Sequence, residues 1–91
     1  KTILAHEYLH YIWNNSAALQ NDFLLEQRLL YMYDSIPWIH NRLAPYRNNG
    51  IVSRTELFSI ICTEVSDKYM DKHVLRQCSK WVNRSRLTMP Y

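Results

Sequence analysis

Apolar residues recur every three or four positions along most of this chain, which is the spacing of one face of an α-helix. The pattern predicts helices over residues 2–14 and about 17–33, separated by the break Asn14-Asn15-Ser16. A short helix through about residue 43 is predicted to begin at Pro37, because proline suits the first helical turn. Residues 45–50, which end in Asn48-Asn49-Gly50, are predicted to be a loop.

Two more helices are predicted in the second half. Ser53-Arg54-Thr55-Glu56 fits a capping box, in which a Ser or Thr is followed three residues later by Glu, so a helix should run from there to about residue 65. The last helix covers roughly residues 71–83. The residues that it should bury are Val74, Leu75, Cys78 and Trp81 or Val82. Strand-like alternation is nearly absent, so we expect an all-α or nearly all-α fold of four to five packed helices.

Composition limits the possible functions. The chain has 91 residues, of which 47% are hydrophobic and 21% charged, as expected for one globular domain over residues 1–91. The net charge of +3 is too small to imply nucleic acid, and the basic residues of the last third are mixed with acidic ones, which favours a solvated helix face. No run of 18 apolar residues exists, so no membrane span is expected.

The two cysteines, Cys62 and Cys78, allow at most one disulfide and lack a metal-binding spacing such as CxxC. Cys62 lies within an apolar helical pattern. We therefore predict that it is a buried thiol.

The strongest chemical signal is the HExxH sequence His6-Glu7-Tyr8-Leu9-His10, within an uncharged, largely apolar segment. Residues four apart lie on the same face of a helix, so His6 and His10 can each offer a ring nitrogen to one Zn²⁺. Glu7 projects about 100° further round, where a carboxylate can take a proton from a zinc-bound water. The motif predicts a zinc site with Glu7 as general base and proton shuttle.

This motif and its apolar flanks resemble the HExxH helix of the zincin metallopeptidases. The resemblance implies a zinc-dependent hydrolase acting on a peptide or protein substrate, built on a minimal zincin-like helical domain. The metzincin pattern would require a Gly and a third His shortly after His10, but Ile12 and Trp13 follow instead. The gluzincin arrangement, with a glutamate from a downstream helix as third ligand, remains. Because the motif lies so close to Lys1, we expect the chain to be a trimmed domain or a fragment of a longer protein.

Two glutamates of the predicted helix over residues 53–65 are candidates for the third ligand. They are eight residues apart, about 12 Å along the axis, so one ion cannot bind both. Glu56 leads the segment Glu56-Leu57-Phe58-Ser59, which resembles the segment in which several gluzincin families, the lethal-factor-like ones among them, place their zinc glutamate. Glu64 shares the apolar stripe of the helix and, if buried, needs a cation or metal as partner. We favour Glu56, with Glu64 as the alternative, and expect this helix to pack across the motif helix.

An alternative from a different class is a small helical binding module in which the HExxH set is structural or degenerate. A basic C-terminal helix that binds nucleic acid is a third, weaker option. For an oxyanion donor we single out only His73 and Tyr69, and no spacing assigns either of them a role.

Overall fold

The computed structural model describes residues 4–83, and within them the prediction of a nearly all-helical protein is confirmed. The α-helices are α1 (Ala5–Asn14), α2 (Ala17–Gln20), α3 (Phe23–Ser35), α4 (Pro37–Arg42), α5 (Arg54–Glu64) and α6 (Lys72–Ser79). Short 3-10 turns cover Ala44–Tyr46 and Asp67–Tyr69. In this part of the chain no helix has the length and apolar character needed to cross a membrane. The predicted helix start at Thr2 lies outside the described residues.

The single helix predicted over residues 17–33 is wrong, because the chain breaks into α2 and α3 at Asn21 and Asp22. The Asp22 side chain accepts a hydrogen bond from the Leu25 backbone N–H at 3.0 Å and so caps α3. The helical spacing of apolar residues continues across this break, so the sequence pattern alone did not reveal it. One consequence is that Phe23, on the first turn of α3, is 72% exposed.

The predicted loop at residues 45–50 contains more structure than expected. Strands β1 (Arg47–Asn48) and β2 (Ile51–Val52) pair antiparallel as a small hairpin. Its two turn residues, Asn49 and Gly50, have φ values of 55° and 79°. Positive φ at both central positions is typical of the hairpin turn that Asn-Gly favours. The hairpin leads directly into α5.

Helix α5 is the centre of the molecule. Its residues 57–63 are all buried, and a helix that is buried all round must be covered on every side by other elements. It packs most extensively against α1, as predicted, and also against α3 and α6. Ser59 donates a hydrogen bond of 2.7 Å to the backbone carbonyl of His6 and so ties the two helices together.

Cys62 is buried as predicted, but the prediction that it carries a thiol is wrong. Cys62 on α5 forms a disulfide with Cys78 on α6, with 5.0 Å between their Cα atoms, and both residues are fully buried. Helix α6 is also shorter than predicted and leaves Leu75 only half-buried, whereas Val74 and Val82 are buried as expected. The two cysteines could be paired only once it was known that their helices pack together, because the spacing of the cysteines in the sequence does not show that packing.

Candidate metal centre

Helix α1 brings the two motif histidines together. The Nε2 atoms of His6 and His10 lie 3.0 Å apart, and their rings meet edge to face with centroids 4.6 Å apart. Their side chains are 26% and 16% exposed, respectively. The pair is therefore largely shielded from water but not fully buried.

The structure brings Glu56 to this pair. One carboxylate oxygen, Oε1, lies 3.2 Å from His6 Nε2, and the other, Oε2, lies 2.9 Å from His10 Nε2. Glu56 is in the first turn of α5, which faces the motif face of α1. Two helices remote in sequence thus place two imidazoles and a carboxylate around one point.

Only half of the predicted capping box forms, and this explains why Glu56 is available. The Glu56 backbone N–H donates to Ser53 Oγ at 3.4 Å, as a capping box requires. The Ser53 backbone N–H, which the Glu56 side chain would normally bond, donates instead to the Tyr46 carbonyl at 2.9 Å. The Tyr46 carbonyl, just before β1, therefore satisfies the Ser53 N–H, and the Glu56 carboxylate is left to face the histidines.

The three short contacts cannot all be hydrogen bonds. A neutral imidazole Nε2 carries either a proton or a lone pair. If both Nε2 atoms carry protons and donate to Glu56, the contact between the two nitrogens sets two N–H groups against each other. If one Nε2 keeps its lone pair, it can accept from the N–H of the other ring, but it then also faces an oxygen of the ionised Glu56 carboxylate, which has only lone pairs to offer. A cation held between His6, His10 and Glu56 removes this conflict, because all three groups can then present lone pairs to it.

A Thr that sequence reasoning missed completes the surroundings of His10. The other ring nitrogen of His10, Nδ1, lies 2.8 Å from Thr55 Oγ1. Thr55 and Ser59 are four residues apart, so they lie on the same face of α5, toward α1. The only sequence signal for Thr55 was its position beside Glu56.

The carboxylate of Glu7 lies near the same pair of histidines. Its side chain is exposed, and its carboxylate lies within 4.8 Å of ring nitrogens of His6 and His10. Glu56 contacts both histidines directly, and Glu7 belongs with the two histidines to a group whose ligand atoms are close enough to hold a metal ion. An exposed carboxylate at this distance can accept a proton from a water placed between it and the histidines.

Glu64, the alternative third ligand, is engaged elsewhere. Its two oxygens accept hydrogen bonds from Arg42 Nε and Nη2 at 2.9 and 2.8 Å. The hydrogen bond to Glu64 is the largest influence on Arg42, and it raises the pKa of the guanidinium above its ordinary value. The cation that a carboxylate on the apolar stripe of α5 was expected to need is thus, for Glu64, the guanidinium of Arg42 on α4.

The structure places neither His73 nor Tyr69 among the residues around the histidine pair. His73 Nε2 lies 2.8 Å from Asp22 Oδ2 and links α6 to the start of α3. Burial tends to raise the pKa of the Asp22 carboxyl, but hydrogen bonds from the Leu25 backbone and His73 outweigh it and leave the pKa below its ordinary value. Tyr69 is exposed beside Lys68.

No family model, curated protein or solved structure matches this chain.

Proposed function

We propose that this protein is a zinc-dependent metallopeptidase of the gluzincin type. In this proposal His6, His10 and Glu56 bind Zn²⁺, and Glu7 is the general base. The observation that carries the proposal is the set of three mutual contacts, 2.9–3.2 Å long, which hydrogen bonds alone cannot satisfy.

The separations between neighbouring nitrogen and oxygen atoms of these three side chains support Zn²⁺ as the cation. Zinc binds imidazole nitrogen and carboxylate oxygen at about 2.0–2.2 Å, and tetrahedral geometry then separates neighbouring ligand atoms by about 3.3–3.6 Å. The three observed separations are 0.1 Å or more below this range, and a small outward shift of the rings would match it. Two neutral imidazoles and one carboxylate are a common catalytic set for zinc, and they leave a fourth position for water.

Zn²⁺ held by His6, His10 and Glu56 would lower the pKa of a water to about 7 and would polarise the carbonyl of the scissile peptide bond. Glu7 takes the proton from the water as its oxygen bonds to the carbonyl carbon. Glu7 then passes that proton to the nitrogen of the breaking C–N bond, so that a carboxylic acid and an amine leave. The exposure of Glu7 and the partial exposure of His6 allow a peptide to approach from solvent.

A helical binding module with a structural metal is the second candidate. Zincins hold an extended substrate along the edge of a strand, and within residues 4–83 the strands are those of the two-residue hairpin pair. This observation favours a module whose metal fixes α1 against α5 without catalysis. The two candidates agree on the ligands and differ in whether Glu7 has a chemical task.

Metal analysis separates the proposal from a metal-free helical fold. The protein, refolded with excess zinc and dialysed, should retain about one Zn²⁺, and His10→Ala and Glu56→Gln should lose it. Glu64→Gln is the matched control, because it makes the same change on the same helix and should retain zinc. Wild type without metal, or loss of metal from Glu64→Gln but not from Glu56→Gln, would contradict the ligand set.

Hydrolysis of a peptide library then separates the two candidates. Wild type with zinc should cleave peptides, and Glu7→Gln should keep the metal but lose turnover, since an amide cannot accept the water proton. Turnover that survives in Glu7→Gln would remove Glu7 from the mechanism. Zinc-loaded wild type that cleaves no peptide would favour the binding module.

A further inference from the structure

The hydrogen bond between Thr55 and His10 joins the first turn of α5 to the metal-facing ring of α1. It is 2.8 Å long, from Thr55 Oγ1 to His10 Nδ1, and the His10 side chain is only 16% exposed. A short hydrogen bond at a largely shielded ring is a strong constraint on how that ring is turned. It lies on the ring nitrogen opposite the one that faces His6 and Glu56.

We propose that Thr55 is the positioning residue of the metal centre: its hydroxyl fixes the orientation of the His10 ring and directs the Nε2 lone pair at the cation. This inference rests on the proposed function, because it concerns how the same site achieves its affinity. Histidine ligands are usually held through their second ring nitrogen by an acceptor, which also sets the tautomer. Thr55 would be that acceptor when the cation is bound.

A hydroxyl suits this position because it can both accept and donate. With the cation bound, His10 Nδ1–H donates to Thr55 Oγ1, and Nε2 is left with its lone pair. Without the cation, His10 Nε2–H can donate to Glu56 Oε2, 2.9 Å away, while the Thr55 hydroxyl donates to Nδ1. A carboxylate in place of Thr55 would favour a proton on Nδ1 in both states. Thr55 therefore lets His10 exchange tautomers as metal enters and leaves, with no broken hydrogen bond at the second nitrogen.

The same face of α5 also holds the other histidine. Ser59 Oγ donates to the His6 backbone carbonyl at 2.7 Å, one helical turn beyond Thr55. Glu56, the proposed third ligand, follows Thr55 directly in sequence. The first two turns of α5 thus set the position of His6, the ring plane of His10 and the carboxylate together.

The test compares Thr55→Val, which keeps the shape and removes the hydroxyl, with Thr55→Ser, which restores it. Zinc affinity is measured by competition with a chromophoric chelator, with folding checked by far-UV circular dichroism. We expect Thr55→Val to bind zinc about 10–100-fold more weakly than wild type, the range typical for loss of such a partner. Thr55→Ser should recover most of the affinity.

Thr63→Val is the matched control. It removes a hydroxyl from the same helix. Thr63 Oγ1 donates a hydrogen bond of 2.7 Å to the Ser59 carbonyl and has no bond to either histidine ring among those of the described residues. This variant should lose stability while keeping wild-type zinc affinity. A Thr63→Val effect on zinc as large as that of Thr55→Val would reduce the role of Thr55 to general stability and overturn the proposal.

Nitrogen NMR of the histidine rings gives a readout that does not depend on activity. In zinc-loaded wild type, His10 should carry its proton on Nδ1, and Thr55→Val should change the Nδ1–H shift and speed its exchange with solvent. Unchanged affinity and an unchanged His10 spectrum in Thr55→Val would overturn the inference while leaving the ligand set intact. Wild type that binds no zinc would instead refute the proposed function, and this inference with it.

Discussion

Reduction of the disulfide between Cys62 and Cys78 should cost this protein a large part of its stability. The two cysteines are 16 residues apart in sequence, and the bond closes a loop of that length in the unfolded chain. In the chain-entropy model a loop of this size contributes about 3 kcal/mol. Domains of this length unfold with roughly 5–14 kcal/mol in total, so the loss is a fifth or more of the whole. The melting temperature should fall by about 12–24 °C.

Urea unfolding of the same protein with and without a phosphine reductant measures this directly, with chelator in both samples so that metal does not contribute. The matched control is the double variant Cys62→Ala/Cys78→Ala, whose unfolding the reductant should leave unchanged. Because Cys62 lies six residues, or about 9 Å along the helix, beyond Glu56, the reduced protein should still bind zinc below its melting temperature. Oxidised and reduced protein that unfold within 1 kcal/mol of each other, or two titratable thiols in the untreated protein, would refute the reasoning.

Three further outcomes follow from single residues. The pKa of Asp22 is lowered in the folded state, so its carboxylate stabilises the fold above about pH 4, and this contribution is lost as the pH falls through the folded pKa. The variant Asp22→Asn can still cap α3 but cannot titrate. Urea titrations should therefore show a smaller loss of stability between pH 6 and pH 3 for Asp22→Asn than for wild type. Gly50→Ala should destabilise the protein by about 1–2 kcal/mol in thermal unfolding, because Gly50 has a φ of 79°, which an alanine adopts only with backbone strain. No neighbouring atom lies within 4 Å of an added Cβ, so we expect no steric clash to add to this strain. An unchanged melting temperature would contradict this prediction. Ser59→Ala should cost about 1 kcal/mol through loss of its bond to the His6 carbonyl, and equal stability to wild type would show that this contact between α1 and α5 contributes nothing.

The local features of the candidate site could be predicted from the sequence because they depend on helix geometry alone. His6 and His10 are four residues apart, and any helix over that segment places them on one face, where the structure has them 3.0 Å apart. The Ser53 cap and the start of α5 also follow from short-range hydrogen bonds within one turn. The prediction failed where a polar cap lay inside a continuing apolar pattern, as at Asp22, because spacing reports burial and not backbone continuity.

Tertiary packing determined which of Glu56 and Glu64 faces the two histidines. Both glutamates lie on one helix, and the sequence gives each a plausible partner. The packing of α4 presents Arg42 to Glu64, and the hairpin satisfies the Ser53 N–H that would otherwise hold Glu56. These contacts span up to 22 residues of sequence, and neither can be read from a local pattern.

The sequence by itself determined the helical class, the pairing of the two histidines and the position of Glu7 beside them, because each follows from a repeat of three or four residues. Only the tertiary structure decided that Glu56 faces that pair, that Thr55 contacts His10 and that Cys62 joins Cys78. The physical reason is the same in all three cases. Contacts between remote segments depend on which helix faces pack together, and that is settled by burial of the whole core around α5 and not by any one segment.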